Sequence, residues 1–117
     1  MVDRWRTAGE WQRAAQLTER YLADNPRDAE LPQLQLKASD DYLAWASEPV
    51  ESRPSKQEML AEVAERFATA RERLADIVER FEDRKPVVHE AQWSIATSWL
   101  TQARVVHGFS AVLARGQ

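Results

Sequence analysis

The 117-residue chain contains no cysteine, only 3 glycines and 5 prolines, and no long apolar run. Without cysteine there are no disulfides, no thiolate nucleophile and no Cys-based zinc site, and the compartment stays open, because reducing and oxidising environments both accept Cys-free chains. So few glycines and prolines, beside 44% hydrophobic and 30% charged residues, describe a folded helical protein rather than a disordered one. The longest uncharged stretch, Ala91 to Ala103, includes Gln, Ser and Thr and falls short of the ~20 apolar residues of a membrane span. A segment of this kind reads as a buried helix. The N-terminus MVDRWRTAGEW has charges and tryptophans where a secretory signal needs an unbroken apolar stretch, so no export sequence is read in the chain as given. Either a cytoplasmic protein or a mature periplasmic fragment fits.

Charge of one sign is also missing. Sixteen basic and 19 acidic residues interleave to a net charge of −3, and no sustained positive field attracts phosphate backbones. Nucleic acid is therefore not an expected partner. The length suits a single domain, 1–117, with one core.

Helical periodicity fills the chain. A short stretch, about Val2 to Ala8, stops at Gly9, where the missing β-carbon permits a turn. A second runs from about Glu10 to Asp24, with Trp11, Ala14, Ala15, Leu17 or Thr18, Tyr21 and Leu22 at three- and four-residue steps, and ends at Asn25-Pro26. A third starts near Asp28, a good N-cap, and continues to about Ser47. Its stripe is Leu31, Leu34, Ala38, Tyr42 and Trp45, with Lys37, Asp40 and Asp41 expected to face outward.

The segment EPVESRP, 48–54, has two prolines and no periodicity and reads as a loop insertion. Ser55-Lys-Gln-Glu58 has the form of a capping box. The helix after it reaches about Asp83, with Met59, Leu60, Val63, Phe67, Ala70, Leu74, Ile77, Val78 and Phe81 inward and the pairs Glu62–Arg66 and Asp76–Arg80 outward. Pro86 opens the last helix, about Val87 to His107, which Gly108 ends or turns ahead of Phe109 to Arg115. This helix is apolar on two faces: Trp93, Ala96, Leu100 and Ala103 form one stripe, and Ile95, Trp99 and Val106 another. Such a helix packs against neighbours on both sides.

GEWQRAAQLTERYLADNPRD, Gly9 to Asp28, resembles the second half of a tetratricopeptide repeat, with Gly9, Trp11, Ala14 and Pro26 at the family's spacing and Trp5 where the preceding helix carries an aromatic. Ala70 to Leu100 resembles the hairpins of bacterial envelope proteins with tetratricopeptide-like repeats, Ala91, Ile95, Ala96 and Trp99 matching the first helix of a repeat. The resemblance covers about half the chain and implies antiparallel helical hairpins stacked as a short solenoid, a compact helical bundle being the alternative. It also implies that the chain begins partway through a repeat, as a fragment of a longer repeat protein would, and that Trp5, Trp11 and Trp99 pack in the core. The third helix lacks the large-small pair that Ile95-Ala96 supplies, and the helix from Ser55 is about two turns too long for a repeat.

No catalytic pattern emerges. His89-Glu90-Ala-Gln-Trp93 places tryptophan where a zinc protease needs its second histidine, and His107 is the only other histidine. Asp40-Asp41 and Glu82-Asp83 read as solvated charge whose pKa values nothing disturbs. There is no phosphate-binding glycine loop and no paired nucleophile and base. The expectation is a non-enzymatic module without metal or cofactor that holds a protein or peptide, the alternative being a structural or self-associating segment of a larger solenoid or homo-oligomer.

Five tryptophans in so short a chain favour an interface. In the resemblance one face of the first helix of each hairpin lines a groove, which places Trp93, Thr97, Leu100 and Arg104 in contact with a partner while Ile95 and Trp99 pack into the stack. The basic clamp with which some family members hold a C-terminal carboxylate is missing, so the groove is apolar or self-associating. The competing reading has Trp93 and Leu100 covering the long helix from Ser55.

Overall fold

The computed structural model describes residues 2–50 and 55–115, with side chains through position 108. Five helices follow one another: α1 (Val2–Thr7), α2 (Trp11–Asp24), α3 (Leu31–Ala46), α4 (Lys56–Arg80) and α5 (Lys85–Arg115). Among the described residues there is no strand, and no helix is long and apolar enough to cross a membrane. Each helix packs on its neighbour in the chain, and α3 also reaches α5. The body measures 53 × 28 × 20 Å.

Local chemistry sets the boundaries. Gly9 has φ +77°, and the amides of Gly9 and Glu10 donate to the carbonyls of Arg6 and Trp5 at 3.0 and 2.8 Å, the double closure that ends a helix on a left-handed glycine. Asn25 closes α2, its side-chain amide donating to the Tyr21 carbonyl at 2.9 Å. The third helix begins three residues later than Asp28. The Asp28 carboxylate accepts from the Glu30 amide at 2.8 Å and from the Tyr21 hydroxyl, a local bond that builds a turn ahead of the helix instead of capping it. Ser55 does cap α4, accepting from the Glu58 amide at 3.1 Å. Positions 51–54 of the EPVESRP loop lie outside the described residues; Val50, just before them, is buried against Ala46, Val63 and Phe67.

Three apolar clusters form the core: Leu36, Leu74, Ile77, Val87 and Ala91; Ala46, Val50, Val63 and Phe67; and Ala15, Tyr42 and Ala70. Leu43 packs against all three. With α2, α4 and α5 around it, α3 buries residues on most of its circumference, Ser39 and Asp41 included.

Asp41 was expected to face outward and instead is 4% exposed. The Arg6 guanidinium reaches over from α1 and holds it from two nitrogens, Nε at 2.8 Å and Nη2 at 2.7 Å from Oδ2. That bond raises the Arg6 pKa above its ordinary value. The sequence pattern suggested an outward residue because Asp is polar; Arg6, 35 positions away in the chain, comes to meet the side it would have turned to solvent.

Gly108 does not end the last helix. It lies inside α5, with nothing within 4 Å of where a β-carbon would stand, so an uninterrupted helix of about 46 Å results. An alanine fits that backbone without strain. Gly108→Ala should accordingly raise the unfolding free energy by about 0.5–1 kcal/mol in urea titrations; a loss of stability would show that the chain turns at this position.

Candidate functional site

The first candidate is the outer side of α5. Its inner side is set by Val87, Ala91 and Ser98, all buried, and by Ile95, Val105 and Val106, which are partly buried against the core clusters. Small residues at 91 and 98 let α4 come close. Of the two alanines that match the repeat pattern, Ala91 lies at the helix contact and Ala96 is exposed. Arg71 of α4 completes the contact, donating to Ser98 Oγ at 3.3 Å and Gln102 Oε1 at 2.6 Å, while Ser98 donates to the Ile95 carbonyl at 2.6 Å.

The opposite side carries the large apolar residues. Trp93 is 70% exposed and Leu100 55%, so they do not cover α4, and Ala96, Ala103 and Arg104 are exposed beside them. Thr97 is half-buried at the edge of this face, donating to the Ser94 carbonyl at 3.2 Å. The four residues Trp93, Thr97, Leu100 and Arg104 thus share one flank of α5. Trp99, expected in the core, is 58% exposed; the Arg71 guanidinium lies 3.5 Å from its ring centroid, a cation–π contact that fixes the ring without removing it from water. Trp5, Trp11 and Trp45 are half-buried. Arg13 stacks over Trp5 and Arg66 over Trp45, at 4.6 and 4.8 Å.

A second feature is a cavity of about 270 Å³ between α2, α3 and α4, walled by Leu22, Leu31, Ala38 and Ile77 with Glu19 and Arg73 at its rim. Glu19 joins three helices. It accepts from Arg73 Nε at 2.9 Å and from the Tyr42 hydroxyl. Burial, and then the bond to Glu19, push the Tyr42 hydroxyl up to about 12, so it stays protonated and donates. The cavity is at the small end for a ligand pocket, and no side chain there pairs a nucleophile with a base.

Acidic groups cluster where α3 meets α5. Asp40 keeps one side in solvent, yet loss of water around it, then the charges of Glu90 and Asp41, push its carboxyl up to about 6. The expectation that nothing disturbs the Asp40-Asp41 pair is thereby corrected: the two residues are adjacent in sequence, but the repulsion comes largely from across the helix interface. Glu82 and Asp83 are exposed. His89 and His107 are exposed on the outer side of α5, about 27 Å apart, and among the described residues no three of His, Cys, Asp and Glu gather as a metal site needs.

No protein-family model, curated protein or solved structure matches this chain.

Two outcomes follow from this geometry. Because Trp93 touches solvent rather than core, Trp93→Ala should change the unfolding free energy by less than about 0.5 kcal/mol, whereas a core tryptophan costs about 3–5 kcal/mol; a melt showing the larger loss would put Trp93 back in the core. The second concerns pH. A carboxyl whose folded-state pKa is raised stabilises the fold below its unfolded value near 3.8 and loses that contribution as pH rises through about 6. Asp40→Asn should therefore stabilise the fold at pH 7, by less than about 1 kcal/mol given solvent screening, and the gain should vanish below pH 4 on the same reasoning. Equal gains at both pH values would show that charge is not the cause.

Proposed function

We propose that this chain is a non-catalytic protein–protein interaction module built from tetratricopeptide-like hairpins, and that the outer side of α5 is its docking face. One observation carries the reading: on a helix whose inner side is already buried, Trp93, Trp99 and Leu100 remain in water with Ala96 and Ala103 between them. Exposed aromatic residues spaced by small ones suit an amphipathic helix laid along them, since knobs need holes. Packing of helices in chain order, with contact from α3 to α5 and an elongated body, supports the stacked-hairpin architecture. No phosphate-binding surface or catalytic pair enters this reading, and protein is the partner class it names.

A second reading, a structural segment of a larger solenoid or homo-oligomer, draws on the same exposed side, because a stacked repeat covers such a face with its next helix. The two differ in what reaches α5. In a pull-down from the source organism, the wild-type chain should retain a specific protein that a Trp93→Ala, Leu100→Ala chain does not, and the measured affinity should fall by at least about thirtyfold, equivalent to 2 kcal/mol for an interface hot spot. Retention unchanged by both substitutions removes α5 as the docking face.

A further inference from the structure

The exposed residues of α5 follow a regular sequence of steps. His89, Trp93, Ala96, Leu100, Ala103 and His107 recur at alternating intervals of four and three, the heptad spacing of a coiled-coil seam, and all six are exposed. They lie opposite Val87, Ala91, Ser98 and Val105, which face the core. Among the described residues nothing of its own fold covers this seam, so the helix can accept a second one.

The seam is also symmetric about position 98. Trp93 and Ala103 are equally far from it, as are Ala96 and Leu100, and His89 and His107. In an antiparallel pair of identical helices related by a two-fold axis, residue i faces residue j and j faces i. With the axis at Ser98, Trp93 falls opposite Ala103 of the other copy and Leu100 opposite Ala96, so these central layers each set one large side chain against one small, while His89 meets His107 in the outermost layers. This complementarity of size within one sequence is what self-packing requires. A shift of one heptad sets Leu100 against Ala103 or Trp93 against Ala96 instead, so size complementarity permits more than one register and the flanking charges choose among them.

The flanks agree. On one side of the seam run Glu90, Thr97 and Arg104, so that the antiparallel arrangement brings Glu90 of each copy beside Arg104 of the other, twice per dimer. Neither residue has an ion-pair partner among the described residues. Glu90 faces Asp40, whose carboxyl the neighbouring charge helps to raise, and a guanidinium arriving there offsets that repulsion. On the other flank the two Trp99 rings meet beside the axis, each backed by its own Arg71.

From this we infer that the occupant of the α5 face is a second copy of this chain, docked as an antiparallel α5–α5 pair centred on Ser98. The inference rests on the docking face proposed above and specifies what covers it. Trp93, Trp99 and Leu100 present on the order of 400 Å² of apolar surface per copy, less than the ~800 Å² per partner of a standard interface. The dimer is correspondingly weak, with a Kd on the order of 10 µM.

Sedimentation equilibrium of the full chain between about 1 and 200 µM, a range that brackets that Kd, should show a monomer–dimer equilibrium. Glu90→Arg and Arg104→Glu should each weaken it about tenfold, as the loss of two interfacial charge pairs does. The double variant Glu90→Arg, Arg104→Glu should return to within about threefold of wild type, since it restores both pairs with signs exchanged. Far-ultraviolet circular dichroism of every variant verifies that the monomer is folded. A wild-type chain that stays monomeric throughout the range overturns the proposal, and single-variant losses without recovery in the double overturn the antiparallel register. If the chain is monomeric yet retains a foreign protein that Trp93→Ala, Leu100→Ala releases, the docking face stands and the second copy does not.

Discussion

The packing of α3 between three other helices constrains most of the rest. A helix with one neighbour needs one apolar stripe, but α3 meets α2, α4 and α5, and its sequence supplies apolar residues for only part of that circumference. Ser39, Asp41 and Tyr42 are buried with the leucines and alanines. Burying such groups is costly unless each finds a partner; Asp41 and Tyr42 find theirs on two other helices, and a third helix braces one of those partners. Arg6 of α1 meets Asp41, Glu19 of α2 meets the Tyr42 hydroxyl, and Arg73 of α4 meets Glu19. Ser39 turns back to the Gln35 carbonyl within its own helix. The short α1, which buries no side chain of its own, is tied to the body in part through the Arg6–Asp41 pair.

Small residues then decide how close the helices come. Ala14 and Ala15 on α2, Ala38 and Ala46 on α3, Ala70 on α4 and Ala91 on α5 are buried, which allows a thin core to be filled mainly by Leu36, Leu74, Ile77, Phe67 and Val63. Leu43 is only partly buried and still touches all three clusters, so it joins what would otherwise be separate contacts into one continuous interior. The same logic operates between α4 and α5, where Ala91 and Ser98 replace bulk and Arg71 supplies the polar bond.

Helix positions were legible in the sequence because local rules govern them. Gly9, Asn25-Pro26 and Ser55-x-x-Glu58 act within a few residues of themselves, and periodicity separated the inner side of α4 almost completely. What sequence reasoning missed depends on neighbours remote in the chain. Asp41 looked solvated until Arg6, 35 positions away, came to meet it, and Asp40 looked undisturbed until Glu90 approached from α5. On α5 the two apolar stripes were visible, but hydrophobicity alone could not say which one is covered. A tryptophan has far more apolar area to bury than an alanine, while a closely approaching helix selects the alanine and the serine. The signal was present in Val87, Ala91, Ser98 and Val105, a small-residue row overlooked beside the larger side chains.

That inversion matters for function. An ordinary surface helix hides its large apolar residues and shows its small and polar ones; α5 does the reverse over its central turns. Leaving about 400 Å² of apolar surface in water forgoes on the order of 10 kcal/mol of burial, as much as a whole domain of this size has in net stability. Association recovers part of it, against roughly 4–15 kcal/mol for lost translational and rotational freedom, so affinity depends on how well the partner's small residues admit Trp93 and Leu100. The alanines at 96 and 103 make that admission possible only for a helix whose own profile is the complement of this one, large where α5 is small. Because α5 read in the opposite direction about Ser98 has that complementary profile, the physical requirement for a partner and the sequence of the chain itself coincide.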